Sequence, residues 1–192
     1  TDATEVFATS IRSSSDGEGK YTSGFPVDFS IARTYDATSN NFALTRLTNR
    51  HLQTNSTVTD TASAGDVAWD VMDGFTIGGT GLNAFFGGST DNINYMWKRA
   101  KGYFDVVAYE GTGSNRTVSH GLGVAPEMMW VKNRDDQYNR WYVYLSGVTY
   151  LSINGNDPDS YGSNPAALSL NRNDAANFSM SGIWNHTHPT ST

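Results

Sequence analysis

Short apolar or alternating runs recur along the chain, separated by clusters of Gly, Asn, Asp and Ser. A period of two marks strands with one buried face, and the 3.6-residue spacing of helices is almost absent. In the first half the runs cover 5–11, 25–33, 42–47, 51–54, 74–77 and 93–98. In the second they cover 103–109, 116–119, 127–132, 141–145, 150–153 and 167–170. Turns are predicted at 13–19, 78–81, 111–115 and 154–165, whose residues adopt turn conformations at low cost. The stretch 58–70 admits one helical turn or a short helix. Many short strands at regular spacing predict an all-β chain of sandwich or jelly-roll type.

The chain also contains itself twice. Gly24-Phe-Pro-Val-Asp-Phe-Ser-Ile-Ala-Arg-Thr-Tyr-Asp36 is matched by Gly123-Val-Ala-Pro-Glu-Met-Met-Trp-Val-Lys-Asn-Arg-Asp135, 99 positions later. The same offset pairs Phe42 with Trp141, Leu44 with Val143, His51 with Tyr150, Leu52 with Leu151 and Asn55 with Asn154. A period this long is a folded module rather than a solenoid unit. The expected organisation is therefore two tandem β-sandwich (jelly-roll-like) modules, 1–101 and 102–192, joined near Arg99–Gly102 by a connection so short that they should touch. A second alignment, matching Leu168 rather than Leu151 to Leu52, would give the second copy an insertion of 17 residues. Under either, the second copy has no counterpart of Asn94-Tyr-Met-Trp-Lys-Arg99, so it should lack its closing strands and leave an edge for other sequence to cover.

Composition narrows the function classes. A net charge of −6 and no Lys/Arg cluster argue against nucleic acid or anionic membrane as partners. The absence of cysteine excludes disulfides, thiolate chemistry and Cys-based zinc sites. No apolar run approaches the roughly 18 residues of a membrane-spanning helix, so membrane insertion is not expected. High glycine, low charge and abundant Ser, Thr and Asn suit a β-rich extracellular or virion protein.

Few residue groups suggest chemistry. Asn185-His-Thr-His188 is the sharpest metal candidate, because His186 and His188 from three chains could surround one axial ion. The plainer alternative is two exposed histidines before Pro189. Asn154-Gly-Asn-Asp-Pro-Asp159 offers hard oxygens but lacks EF-hand spacing and reads as an Asx-rich turn. None of His51, His120, His186 and His188 sits in a Gly-x-Ser-x-Gly context, so nucleophilic catalysis is not indicated. Glu127 and Asp28 are repeat partners at a strand entrance, which favours a cap or turn role over acid–base work. Sugar rings stack on exposed aromatics, and Tyr138, Trp141, Tyr161 and Trp184 are the candidate ligand contacts. No cofactor is expected.

Gly102-Tyr-Phe-Asp-Val-Val-Ala-Tyr-Glu-Gly-Thr-Gly113 and Val118–Arg134 closely resemble a module common in predicted structural and tail-fibre proteins of marine bacteriophages, including cyanophages. Trp184-Asn-His-Thr-His-Pro-Thr-Ser191 is similar to a later element of that module. The resemblance implies a virion protein, β-sandwich and oligomeric, and brings no catalytic residues. The resulting expectation is a non-enzymatic structural protein of the extracellular phage particle, a tail-fibre or appendage component adhering to a host-surface glycan or protein. Its partners would be other virion proteins and further copies of itself, a trimer being favoured. The alternatives are a capsid decoration or head-fibre protein, a polysaccharide depolymerase, and a spacer without ligand.

Overall fold

A computed structural model of the chain describes residues 2–13, 16, 19–62, 67–78, 91–112, 116–135, 137, 141–145, 148–152, 170–172 and 177–180. These residues are nearly all β, in antiparallel sheets, as the alternation predicts. The chain divides into two compact units, Thr1–Thr54 with Asp60–Val106, and Asn55–Thr59 with Val107–Thr192.

The first unit holds β1 (Phe7–Arg12), β2 (Gly19–Thr22), β3 (Phe29–Thr34), β4 (Phe42–Thr45), β5 (Arg50–Gln53), β6 (Thr61–Ala62), β7 (Val67–Ala68), β8 (Gly74–Ile77) and β9 (Asn92–Trp97). Six of these form one sheet in the order β1-β9-β3-β4-β5-β6, and three form a second in the order β2-β8-β7. The two sheets share one core. Ala32, Phe42, Leu44 and Met96 from the larger sheet meet Tyr21, Val67, Phe75 and Ile77 from the smaller. Stacked rings of Tyr21 on Phe75 (5.4 Å) and Trp69 on Phe75 (5.2 Å) fill its middle. Burying one such large side chain stabilises by about 1.5–3 kcal/mol, so this sandwich contact dominates the unit's stability.

Strand β9 shows the alternation most plainly. Asn92, Asn94 and Met96 are buried, while Ile93, Tyr95 and Trp97 are half-buried on the outer face. Two of the inward residues are polar, and each has a partner: Ser30 Oγ donates to Asn94 Oδ1 and Thr34 Oγ1 to Asn92 Oδ1, both at 3.0 Å. On the outer face, register sets Trp97 opposite Phe7 on one side and Phe29 on the other. Phe104 completes the group, 5.6 Å from Phe29 and 5.8 Å from Trp97. The acid at the entrance of β3 fastens the same strands. Asp28 N–H donates to the Trp97 carbonyl (2.9 Å), and its carboxylate accepts the Arg99 N–H (2.8 Å). Arg46 bonds the Val27 and Trp69 carbonyls nearby (2.9 and 2.8 Å). The acid thus acts as a cap, as its repetition in the sequence suggests.

The second unit holds β10 (Arg116–Ser119), β11 (Met128–Val131), β12 (Tyr142–Leu145), β13 (Val148–Ser152), β14 (Leu170–Arg172) and β15 (Asn177–Met180). Its sheets run β11-β12-β13 and β10-β15-β14. The first has the connectivity of β3-β4-β5 and the second that of β2-β8-β7. Gly24 (φ +83°) and Gly123 (φ +72°), 99 positions apart, both take the left-handed conformation that glycine adopts without strain. Leu52 faces Ala43 across β4–β5 and Leu151 faces Val143 across β12–β13, so Leu151, not Leu168, holds the place of Leu52.

Three expectations change. The ungapped offset slips by one residue between β11 and β12: Phe29 faces Thr45, but Met128 faces Leu145 rather than Tyr144. Tyr142, not Trp141, therefore takes the place of Phe42. Residues 103–109 do not form a strand; a turn at 101–103 leads to an isolated bridge between Ala100 and Phe104, and Phe104 packs on the aromatic face of the sheet. In 58–70 the described residues hold two short strands and no helical turn, because Thr61 and Val67 are β-branched and pair with β5 and β8. Strands β2 and β15 lie outside the sequence-predicted runs; β2 has one large apolar residue, Tyr21, between polar ones, and β15 has Phe178 and Met180 at alternate positions over only four residues.

Gly74 lies where β8 crosses β2, and a Cβ there would sit 2.0 Å from the Tyr21 carbonyl oxygen. Gly74→Ala should cost about 3 kcal/mol or more, since backbone must move in a packed core. A urea midpoint equal to wild type would contradict this packing. In the second unit, burial raises the Tyr109 pKa to about 12, with Arg116 acting in the opposite sense. The folded state then holds this proton more tightly than the unfolded chain, whose phenol titrates near 10. Stability from this group is intact below pH 10 and is lost as pH rises from about 10 through 12. Spectrophotometric titration of wild type against Tyr109→Phe should show the late-ionising phenol; its absence would refute the assignment.

Candidate functional site

The connection that follows β3 leaves the first unit's larger sheet and forms an open cleft of about 420 Å³. Its polar and aromatic lining comprises Arg33, Tyr35, Asp36, Thr38, Ser39 and Asn41. Tyr35 is 49% exposed, yet it is not loose. Its N–H donates to the Asp91 carbonyl and its phenol O–H to the Asp91 carboxylate, each at 3.1 Å. Partial desolvation and then that hydrogen bond raise the phenol pKa, so the ring stays neutral and its orientation is held by the residue that enters β9. A fixed aromatic face beside a guanidinium, a carboxylate, hydroxyls and an amide is a surface that can stack on a pyranose and bond its hydroxyls. A second cleft of about 490 Å³, lined in part by Glu5, Gly24 and Lys98, offers no exposed aromatic.

Among the described residues of the second unit the accessible aromatic is Trp130. Alternation along β11 puts Met128 (53% exposed) and Trp130 (41%) on one face, and Trp130 Nε1–H donates to Met128 Sδ at 3.0 Å. Trp141 precedes β12 and is 5% exposed; its ring stands edge-on to Trp130 at 6.4 Å and 79°. Of this pair, Trp130 presents area to a ligand and Trp141 supports it. The other sequence candidates, Tyr138, Tyr161, Trp184, His186 and His188, lie outside the described residues. Tyr138 does belong to the connection between β11 and β12, which corresponds to the Tyr35 connection between β3 and β4. Tyr35 was not singled out from sequence. Its signal was the acid–aromatic cluster Arg33-Thr-Tyr-Asp36 placed just past a strand end.

Two histidines are placed. His51 is buried with its ring edge toward Phe42 (5.5 Å, 70°), a packing role. His120 Nδ1 accepts the Leu122 N–H at 3.3 Å, which shapes the turn before Gly123. Among the described residues no three His, Asp or Glu side chains converge as a metal site would require. No helix among them is long and apolar enough to cross a membrane.

A family model described as "Domain of unknown function (DUF7483)" matches residues 2–192, through both units. No curated protein and no solved structure matches the chain.

The two tryptophans should respond differently to truncation. Trp141→Ala should destabilise by about 3–5 kcal/mol, as for other buried large-to-small changes. Trp130→Ala should cost less, about 1 kcal/mol, because 41% of its surface is already exposed. Equal losses in urea denaturation would mean that Trp130 is also part of the core.

Proposed function

Because the chain belongs to the DUF7483 family, whose description assigns no activity, we propose from residues and geometry that it is a non-enzymatic, glycan-adhesive structural protein built from two copies of one jelly-roll-like β-sandwich. The matching strand orders of the two units and the paired left-handed glycines support the two-copy reading. The resemblance of Tyr103–Arg134 to phage structural modules supports placement in a virion appendage of tail-fibre type, with other virion proteins and copies of itself as partners.

One observation carries the adhesive role: Tyr35 stands half-exposed at a polar cleft while Asp91 fixes its orientation. A ring held in place before binding loses little entropy when a sugar stacks on it. Asp36, Asn41, Thr38 and Ser39 supply donors and acceptors for hydroxyls. Tyr138, in the corresponding connection of the second unit, would offer a second contact. Two weak sites on one chain, multiplied by oligomerisation, give useful avidity through effective concentration.

A glycan array probed with the intact chain should give hits that weaken by about tenfold or more in Tyr35→Ala, the loss of one stacking contact. Tyr35→Phe keeps the ring but not its tether and should fall between. An array silent with the wild-type chain would sink the adhesive reading. Release of reducing ends from a bound polysaccharide would overturn the non-enzymatic one.

A further inference from the structure

Strands β3 and β11 occupy the same place in two matching meanders, but their surroundings differ. On the side away from β4, β3 is paired along its whole length with β9, from Phe29↔Trp97 to Thr34↔Asn92. β11 has β12 on one side and, among the described residues, no strand on the other. The outer side chains follow suit. Phe29 is half-buried beneath Trp97 and Phe104, whereas Met128, its counterpart, is 53% exposed. Phe25 is buried, and its counterpart Val124 is exposed. An apolar strand with one edge that no described strand pairs is a template for pairing.

We infer that the open edge and outer face of β11 form an acceptor site for a strand of the β9 type, supplied by another polypeptide module and added in antiparallel register. The β3–β9 pair states the chemistry of that strand. Bulky apolar residues at alternate positions would cover the outer face, a Trp over Met128 and a Tyr over Trp130, as Trp97 and Tyr95 lie opposite Phe29 and Ile31. Small polar or flexible residues between them would face inward. The ends are set by charge. β9 starts after Asp91 and is followed by Lys98 and Arg99, and in the first unit those ends meet Tyr35 and Asp28. At the same places β11 has Arg134 and Glu127. An antiparallel incoming strand with an acid first and bases last therefore meets opposite charges at both ends, which selects direction as well as register. The β9 of a second copy of this chain is a poor donor, because it is paired on both edges with β1 and β3.

The test uses the intact chain and a synthetic peptide of residues 91–99, Asp-Asn-Ile-Asn-Tyr-Met-Trp-Lys-Arg, followed by fluorescence anisotropy and by amide hydrogen exchange. Saturable one-to-one binding is expected, with new protection of the amides of 128–131 and no change at 29–34. A scrambled peptide should not bind. A peptide with both end charges reversed should bind roughly three- to tenfold more weakly, since exposed cross-strand charge pairs are modest individually. Trp130→Asp should abolish binding, and the exchange pattern of the wild-type chain reads the site even where that variant folds poorly. No binding, equal binding of the scrambled peptide, or protection of 128–131 before any peptide is added would each overturn the proposal. The last outcome would assign the edge to the chain itself or to a second copy.

Discussion

Strand β9 is bonded along both edges, to β1 on one side and to β3 on the other, and the first unit is organised around that double pairing. Its inward residues place Met96 in the core and seat Asn94 and Asn92 on Ser30 and Thr34, so the side-chain carbonyls of both asparagines accept a hydroxyl at the sheet's centre. Its outward residues gather Phe7, Phe29 and Phe104 around Trp97. Its two ends fix two further features: Asp91 holds Tyr35 at the candidate cleft, and Arg99 closes onto Asp28. Core, aromatic cover and candidate site thus depend on one strand that joins the sheet from more than 50 residues away in sequence. Closing so long a loop costs entropy before any contact rewards it, so the pairing is expected to form late in folding.

Much of this was legible in sequence because strand periodicity survives averaging. The alternation in Phe29–Thr34, Phe42–Thr45 and Asn92–Trp97 places those strands to within a few residues, and the repeat relates β3-β4-β5 to β11-β12-β13. What escaped was governed by single positions. Gly19–Thr22 contains one apolar residue, Tyr21, so no period can be seen, although that residue is fully buried. The aromatic run from Tyr103 imitates a strand, but its burial comes from folding Phe104 back onto Trp97. Composition could register the apolar payload there and not its direction.

The candidate site was less legible for a geometric reason. An alignment at constant offset gives Trp141 the place of Phe42, yet one extra residue between β11 and β12 hands that place to Tyr142. In a strand of period two, a slip of one residue exchanges the two faces. Trp141 then lies beside Trp130 on the outer side of the meander, where it is enclosed and Trp130 is presented. Tyr35 went unremarked for a different reason. An exposed aromatic is ordinary until something fixes it, and the fixing residue, Asp91, is 56 positions away.

The two copies of the motif also differ in a way that composition alone would read as noise. Where the first unit uses Phe25 and Phe29, the second uses Val124 and Met128. Rings suit a permanent neighbour, since Trp97 and Phe104 pack Phe29 in one arrangement. Methionine has three rotatable bonds and a polarisable sulfur, and it adapts to surfaces that come and go. Met128 already makes such a contact, accepting the Trp130 indole N–H. An edge filled permanently by its own chain would gain from a rigid ring at that position, whereas an edge that receives a strand from elsewhere gains from a side chain that can settle against whatever arrives. The apolar character is kept in both copies and the rigidity is not, which is the difference expected between a built-in neighbour and a recruited one.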